Sequence, residues 1–142
     1  MERPSLISCM LRTALVFAER STCSRLKVGT VIASEDLTTI DSVGYNGNAK
    51  GLDNKCDSNQ PGNCGDLHSE INAIIKGNYN LKNKIMFVTD SPCIMCAKAI
   101  INAGIAKVYY IRKYRDTSGI ELLEKAGIKV YQWDLETDRS VE

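Results

Sequence analysis

The chain has 142 residues, of which 44% are hydrophobic and 25% are charged, and its formal net charge at pH 7 is +1. This length and composition are typical of one globular domain over residues 1–142. The near-neutral charge disfavours a nucleic-acid partner, because such binders usually carry a basic excess, and it favours a small-molecule substrate.

Two properties of the sequence bear on cellular location. It has no run of about 18 apolar residues, so we expect no segment that spans a membrane. The start, Met1-Glu2-Arg3-Pro4, leads into a mixed stretch without an unbroken apolar core, so we expect no secretory signal and a cytoplasmic protein. In that compartment the six cysteines are expected to be thiols and metal ligands, not disulfides.

The first half of the chain predicts one helix, two strands and a long loop. Apolar side chains at helical spacing predict a helix over 4–20 with one buried face. Strands are predicted over 27–33 and 37–45, and the polar Ser34-Glu35-Asp36 between them is typical of a hairpin turn. Residues 46–67 are rich in Gly, Asn and Asp, and a loop of this length is usually functional or mobile.

The second half alternates helices with strands. The predicted elements are helices over 69–76, 94–103 and 118–126 and strands over 85–89, 107–111 and 128–133. Strands that alternate with helices indicate parallel pairing through right-handed crossovers. The expected fold is therefore an α/β domain in which helices cover both faces of a mixed five-stranded sheet.

Two short stretches contain residue types that bind metals, namely His68-Ser69-Glu70 and Pro92-Cys93-Ile94-Met95-Cys96. Zinc prefers imidazole and thiolate ligands in a tetrahedron, and three protein ligands leave the fourth position for water, as in catalytic sites. Cys93 and Cys96 are three residues apart at the start of a predicted helix, whose free N–H groups and dipole stabilise thiolates. We therefore expect His68, Cys93 and Cys96 to bind zinc.

Glu70 lies two residues after His68 and need not be a ligand. It can act instead on the water of the site, whose pKa zinc lowers to about 7. The carboxylate would take a proton from that water and pass it to a ring nitrogen and then to a departing amine. The combination of H-x-E with P-C-x-x-C is the signature of zinc-dependent nucleobase deaminases. The pattern thus indicates Glu70 as the proton carrier of a hydrolytic deamination.

Either half of this pattern, when it occurs alone, is also found in proteins that are not deaminases. A bare C-x-x-C is often a redox pair or half of a structural zinc site. A redox pair would follow the first strand of a βαβ unit and would leave His68 and Glu70 without a role. A structural zinc site would need a fourth protein ligand. A zinc-stabilised module that binds nucleotides without chemistry is a further alternative, and it would release no ammonia.

Further stretches carry a resemblance to a known family. They are residues 23–29 (CSRLKVG), 44–47 (GYNG), 68–74 (HSEINAI), 88–93 (VTDSPC), 97–105 (AKAIINAGI) and 122–128 (LLEKAGI). On these stretches the chain is identified as a member of the cytidine deaminase-like zinc superfamily, and it is most similar to the deoxycytidylate (dCMP) deaminases. The metal motif is shared by the whole superfamily, whereas Gly-Tyr-Asn-Gly and Ser91 favour dCMP over a tRNA adenosine.

The resemblance implies a three-layer α/β/α sandwich that hydrolyses dCMP to dUMP and ammonia for thymidylate synthesis. Another cytosine nucleoside or nucleotide, or a tRNA adenosine, is the alternative substrate. The resemblance also implies a homo-oligomer, with a hexamer favoured, that is activated by dCTP and inhibited by dTTP together with Mg²⁺. The chain departs from the family at Ser69, where Ala is common, and we expect this change to be tolerated.

The resemblance also provides candidate contacts with the substrate. Arginine can bind phosphate through two hydrogen bonds, although the phosphate candidates fit a solvated basic pair equally well. The asparagine candidate is also typical of a turn, and the candidates at the pocket rim could form an exposed loop tip. The candidates are Arg25 and Lys27 for the phosphate, Asn46 and Ser91 for the nucleotide, and Tyr114 and Arg115 for the pocket rim.

Four cysteines lie outside the metal motif. Cys9 is expected to pack in the core beneath the first helix. Cys23, Cys56 and Cys64 could supply part of a second, structural zinc site, as some relatives have one. Because the chain has a single histidine, a carboxylate, a water or Cys9 would have to complete that site.

Overall fold

The computed structural model describes residues 2–23, 25–53 and 65–141. The elements in chain order are α1 (Leu6–Ala18), β1 (Gly29–Ala33), β2 (Ile40–Tyr45), α2 (Ser69–Lys76), β3 (Ile85–Asp90), α3 (Ile94–Asn102), β4 (Lys107–Arg112), α4 (Ser118–Lys125), β5 (Lys129–Asp134) and β6 (Arg139–Ser140). Every predicted helix and strand is present, with bounds within a few residues of the prediction. No helix in these described ranges is long and apolar enough to cross a membrane.

The strands form one sheet in the order β2-β1-β3-β4-β5-β6. β1 is antiparallel to β2 and β3, whereas β3, β4 and β5 run parallel. The predicted mixed sheet, with a hairpin in its first half and parallel pairing in its second, is therefore confirmed. A sixth strand adds to the five predicted, because the two residues of β6 pair with Trp133 and Asp134 of β5. A strand this short has no alternating pattern to identify it.

The turn between β1 and β2 is longer than the three polar residues predicted for it. Hydrogen bonds fix residues 34–39, since Asp36 Oδ1 accepts from the Thr38 N–H at 3.1 Å and Ser34 Oγ accepts from the Thr39 N–H at 3.1 Å. Leu37 adopts a positive φ of 62° in this turn, and its side chain packs against the core on the α1 side. The strand expected from position 37 therefore begins at Ile40.

Helices cover both faces of the sheet and produce three layers. Side chains alternate between the faces along each strand. The core on the α1 side contains Met10, Leu11, Ala14, Val31, Ala33, Ile85, Phe87 and Tyr109. The core on the side of α2, α3 and α4 includes Ile32, Ala73, Met86, Val88, Ala97, Ile100, Val108 and Leu123. Thr30 lies two residues before Ile32 and is directed to the α2 side, where it contacts Ser69.

The β5–β6 hairpin is attached to the start of α1 through Asp138. Its carboxylate accepts hydrogen bonds from the Ser5 N–H at 2.8 Å, from the Ser5 hydroxyl at 2.6 Å and from the Ser8 hydroxyl. The indole N–H of Trp133 donates to the same carboxylate at 3.1 Å, and its ring packs edge-on against Tyr109. These donors, led by the hydroxyls of Ser5 and Ser8, lower the pKa of Asp138 below its ordinary value.

We expect Asp138→Asn to lower the melting temperature at neutral pH, because a neutral amide accepts weaker hydrogen bonds than a carboxylate. The folded-state pKa of Asp138 is lowered, so its contribution is present above the unfolded-state pKa of about 3.9 and is lost as the pH falls below it. Thermal melts by circular dichroism between about pH 7 and about pH 3 should show the parent and the variant converging at low pH.

The exposed Glu35 of the β1–β2 turn provides the control, and Glu35→Gln should melt with the parent at every pH. A difference between Asp138→Asn and the parent that stays constant over the whole pH range would contradict the role given to the charge.

Candidate active site

The candidate site lies where the starts of α2 and α3 face each other. His68 precedes α2 with an extended backbone, φ −69° and ψ 154°, and its side chain makes no capping hydrogen bond. Cys93 precedes α3 in the same way, and its sulfur accepts a hydrogen bond from the Cys96 N–H at 3.4 Å. The two helix starts therefore direct one imidazole and two sulfur atoms to a common point.

The distances and the donor types at this point fit zinc. Nδ1 of His68 lies 3.2 Å from Sγ of Cys96 and 3.5 Å from Sγ of Cys93, and the three ligand atoms lie within 4.8 Å of one another. A tetrahedral ion with Zn–S near 2.3 Å and Zn–N near 2.0 Å separates nitrogen from sulfur by about 3.5 Å. Within the described residues no fourth His, Cys, Asp or Glu joins the group. His68, Cys93 and Cys96 could thus bind zinc and leave one position open.

A hydrogen bond between the two thiols favours the thiolate at Cys93. The bond from the Cys96 thiol lowers the pKa of Cys93 to about 4, and the His68 ring contributes in the same direction. The same bond, together with burial, raises the pKa of Cys96. A hydrogen bond with Cys93 also raises the pKa of His68. Zinc binds thiolates, so its binding would release the remaining thiol proton.

Glu70 is buried beside this group without belonging to it. Only 4% of the residue is exposed, and the Ser69 hydroxyl donates to its Oε1 at 2.9 Å. Burial raises the pKa of the carboxyl, and the positive charge of His68 and the hydrogen bond from Ser69 act in the opposite direction. A carboxyl with a raised pKa next to metal ligands is suited to accept a proton and return it.

Two glycines allow the elements around the site to approach closely. A Cβ on Gly44 of β2 would lie 2.3 Å from the carbonyl oxygen of Ser69, so the start of α2 lies directly on the strand. A Cβ on Gly119 of α4 would lie 2.1 Å from the carbonyl oxygen of Pro92, so α4 supports the backbone just before Cys93. A single glycine in a first helical turn has no distinctive pattern, and the contact made by Gly119 could not be predicted.

Asn46 is buried and fixes the segment that carries the two phosphate candidates. Its Oδ1 accepts from the Val28 N–H at 2.9 Å, and its Nδ2 donates to the Leu26 carbonyl at 2.7 Å. Arg25 and Lys27 of this segment are exposed, and no acidic side chain among the described residues forms an ion pair with either. Contact of these three residues with a nucleotide stays a prediction.

Ser91 connects the metal motif to the residues that follow β4. It is buried, and its Oγ accepts a hydrogen bond from the Tyr114 N–H at 2.7 Å. The structure therefore brings Ser91 and Tyr114 together, while Arg115 is exposed on the same segment. The rim position of Tyr114 and Arg115 at a substrate pocket stays a prediction.

The four cysteines outside the metal motif were predicted to pack in the core or to form a second zinc site. Cys9 is exposed, so the prediction that it packs in the core is wrong. α1 is apolar on several sides, with Leu6 and Val16 also exposed, and its periodicity does not identify the buried face uniquely. Cys23 is a buried free thiol. Cys56 and Cys64 lie outside the described residues, and the second zinc site stays a prediction.

Comparison with known proteins identifies the family. Residues 5–112 match the model of the cytidine and deoxycytidylate deaminase zinc-binding region. The chain belongs to this family. Its membership agrees with the His–Cys–Cys group, whose members all lie within the matched residues.

Two relatives of this deaminase family show how far the similarity extends. The chain is 33% identical to the deoxycytidylate deaminase of Saccharomyces cerevisiae over 92% of its length, but it spans only 46% of the yeast protein. It is 37% identical to ComE operon protein 2 of Bacillus subtilis, with 96% of this chain and 75% of that protein covered. The chain thus spans about half the length of the yeast relative.

A solved structure of the family confirms the fold. The crystal structure of dCMP deaminase from the cyanophage S-TIM5 in complex with dCMP and dUMP matches with a TM-score of 0.81 and 33% identity. The match covers 93% of this chain and 99% of the phage chain. The three-layer α/β architecture of this zinc deaminase family is therefore shared along nearly the whole length of both chains.

Each of the variants His68→Ala, Cys93→Ser and Cys96→Ser should bind far less zinc than the parent, because two ligands hold the ion much more weakly than three. The zinc content per chain, measured by mass spectrometry after dialysis, tests this. Cys9→Ser removes an exposed thiol of α1 and should retain the parental zinc content. If Cys93→Ser keeps zinc, adding Cys64→Ser decides the cause: loss would reveal a second site, and retention would contradict the ligand assignment.

Proposed function

We propose that this chain is a zinc-dependent deaminase that hydrolyses dCMP to dUMP and ammonia, and that residues 1–142 act as one catalytic domain. The observation that carries the proposal is the buried carboxylate of Glu70 beside the three possible ligands His68, Cys93 and Cys96. Three protein ligands are typical of catalytic zinc, whereas structural zinc usually has four. A module that only binds nucleotides would have no use for a buried carboxylate at this position.

Similarity to named deaminases supports dCMP as the substrate. The cyanophage protein whose structure contains dCMP and dUMP is 33% identical to this chain, and the yeast relative is named deoxycytidylate deaminase. The exposed cations Arg25 and Lys27 support a substrate with a phosphate, since guanidinium and ammonium groups bind phosphate oxygens. A phosphate requirement would distinguish dCMP from free cytidine.

Glu70 performs the proton transfers of the proposed reaction. Zinc, when bound, supplies an activated water at neutral pH. The carboxylate of Glu70 accepts a proton from the attacking water and delivers it to a ring nitrogen of cytosine. It then accepts the second proton, from the hydroxyl that the water has become on the ring carbon, and delivers it to the departing amine. One water is consumed, the carbon–nitrogen bond to the amine breaks, and the carbonyl of the uracil ring and ammonia are formed. Burial of Glu70 keeps bulk water from competing for these protons.

The proposal extends to the substrate contacts, the assembly and the regulation that the resemblance implies. We predict that the protein forms a homohexamer and that it is cytoplasmic. We also predict that dCTP activates it and that dTTP inhibits it, together with Mg²⁺. The proposed contacts are Arg25 and Lys27 with the phosphate, Asn46 and Ser91 with the nucleotide, and Tyr114 and Arg115 at the pocket rim.

Glu70→Gln should keep zinc and lower kcat for dCMP by about 10²-fold to 10⁴-fold, because the amide cannot carry the proton. The measurement is the loss of absorbance as zinc-loaded protein converts dCMP, with the zinc content determined on the same sample. Glu35→Gln, in the exposed β1–β2 turn, serves as the control and should have parental kcat. Parental turnover in zinc-loaded Glu70→Gln would exclude Glu70 as the proton carrier.

A comparison of dCMP with cytidine, CMP and dCTP should show fastest turnover of dCMP, because the phosphate and the deoxyribose both contribute to binding. Addition of dCTP with Mg²⁺ should increase the rate, and dTTP should lower it. Equal kcat/KM for cytidine and dCMP would contradict phosphate recognition. Deamination of a tRNA anticodon stem-loop without turnover of any cytosine nucleotide would show that the substrate is a tRNA adenosine and not dCMP.

A further inference from the structure

Two buried hydroxyl groups connect Glu70 to the centre of the sheet. The Ser69 hydroxyl donates to Oε1 of Glu70 at 2.9 Å, and Oγ of Ser69 lies 2.8 Å from Oγ1 of Thr30. Ser69 and Thr30 are both fully buried, at 0% exposure. Water therefore does not compete for either hydrogen bond, and each is stronger than it would be at the surface.

The number of available protons fixes the direction of this chain of hydrogen bonds. A serine hydroxyl carries one proton, and that of Ser69 is donated to the carboxylate of Glu70. Ser69 must therefore accept from Thr30, whose own proton completes the second bond. The chain runs from Thr30 through Ser69 to Glu70, with the carboxylate as its terminal acceptor.

Thr30 provides a rigid origin for the chain. It lies on β1 between two partner strands, in register with Gly44 of β2 and Val88 of β3. Ser69 begins α2, which the close approach at Gly44 holds against the sheet. The side chain of Glu70, by contrast, has three rotatable bonds and depends on a partner to select one orientation.

The two oxygens of the Glu70 carboxylate have different surroundings. Oε1 accepts from the Ser69 hydroxyl, and no side-chain hydroxyl or amide among the described residues donates to Oε2. The backbone N–H of Glu70 also bonds to the carboxylate, as does the Cys96 thiol, which would lose its proton on binding zinc. A carboxylate that is fixed through one oxygen leaves the other available for the reacting groups. Positioning of a proton carrier to within a fraction of an ångström is a large part of its contribution to the rate.

We propose that Ser69 is a positioning residue for Glu70, and that Thr30 orients Ser69, so that Oε2 of Glu70 faces the substrate. This inference rests on the proposed role of Glu70 as proton carrier. It replaces the expectation that Ser69 is only a tolerated neighbour of the motif, because alanine at this position could not donate the hydrogen bond.

Ser69→Ala should lower kcat for dCMP by about tenfold, while KM stays within about twofold of the parent, because the carboxylate loses its preferred orientation and the substrate contacts remain. The zinc content should be unchanged, since neither Ser69 nor Thr30 belongs to the ligand group. The assay uses zinc-loaded protein and reports kcat and KM separately.

A matched pair of variants at Thr30 distinguishes the effect of its hydroxyl on kcat from the effect of its side-chain packing. Thr30→Val keeps the shape of the side chain without the proton and should lower kcat by about threefold, since Ser69 still donates but is less well oriented. Thr30→Ser keeps the hydroxyl and should recover kcat to within about twofold of the parent. The double variant Thr30→Val/Ser69→Ala should be no slower than Ser69→Ala alone, because both changes interrupt one chain.

Melting temperatures provide a readout that does not depend on turnover. Ser69→Ala should lower the melting temperature by about 5 °C in the parent, as expected for a lost hydrogen bond to a charged group in a chain of this size. In a Glu70→Ala background the same change should lower the melting temperature by clearly less, because the carboxylate acceptor is absent and only the bond with Thr30 is lost. Equal shifts in both backgrounds would show that Ser69 and Glu70 are not coupled and would overturn the inference.

The kinetic outcomes separate this inference from the proposed function. If Glu70→Gln is inactive and Ser69→Ala has parental kcat, Glu70 remains the proton carrier and the positioning role of Ser69 is overturned. If zinc-loaded Glu70→Gln turns over dCMP normally, the proposed function fails and the inference fails with it. Equal losses of kcat in Thr30→Ser and Thr30→Val, or a loss of zinc in Ser69→Ala, would indicate a packing defect and would also overturn the inference.

Discussion

The starts of α2 and α3 face each other at one end of the sheet, and the contact between them sets the positions of all the groups that could take part in chemistry. Metal–ligand distances in tetrahedral zinc sites lie within about 0.2 Å of their ideal values. Nδ1 of His68 and Sγ of Cys96 are brought to 3.2 Å by two separate helices, so each helix needs its own support. Gly44 beneath α2 and Gly119 beside Cys93 give that support through direct backbone contact, and a methyl group at either position would separate the ligands.

The parts of the fold and site that the sequence predicted are those encoded by local pattern. Helices of eight or more residues and strands of five or six have enough apolar positions to reveal their period, and the alternation of elements after Ser69 predicts parallel strands. His68, Cys93 and Cys96 could be selected because their residue types and spacing restrict the chemistry, and the structure brings their ligand atoms within 4.8 Å. The placement of these three at helix starts also followed from local pattern.

The parts that could not be predicted depend on contacts between distant residues. Ser69 meets Thr30 across 39 residues and Asp138 meets Ser5 across 133, and no local period indicates which polar side chains will pair after folding. The exposure of Cys9 has a related cause, because an apolar helix does not reveal which side the sheet will cover. Asn46 illustrates the same difficulty, since its amide is bonded to the backbone of Leu26 and Val28 and no turn pattern predicts those partners.

Trp133 is the single tryptophan of the chain, and its surroundings make it an intrinsic fluorescent probe. Its indole N–H is bonded to Asp138, and its ring lies 5.7 Å from that of Tyr109, on the α1 face of the sheet. The emission spectrum therefore reports on the junction between the hairpin and α1, on the face opposite the helices that carry the metal motif. A spectral change on addition of metal or nucleotide would mean that the sheet transmits the event from one face to the other. A constant spectrum would mean that the response is confined to the side of α2 and α3.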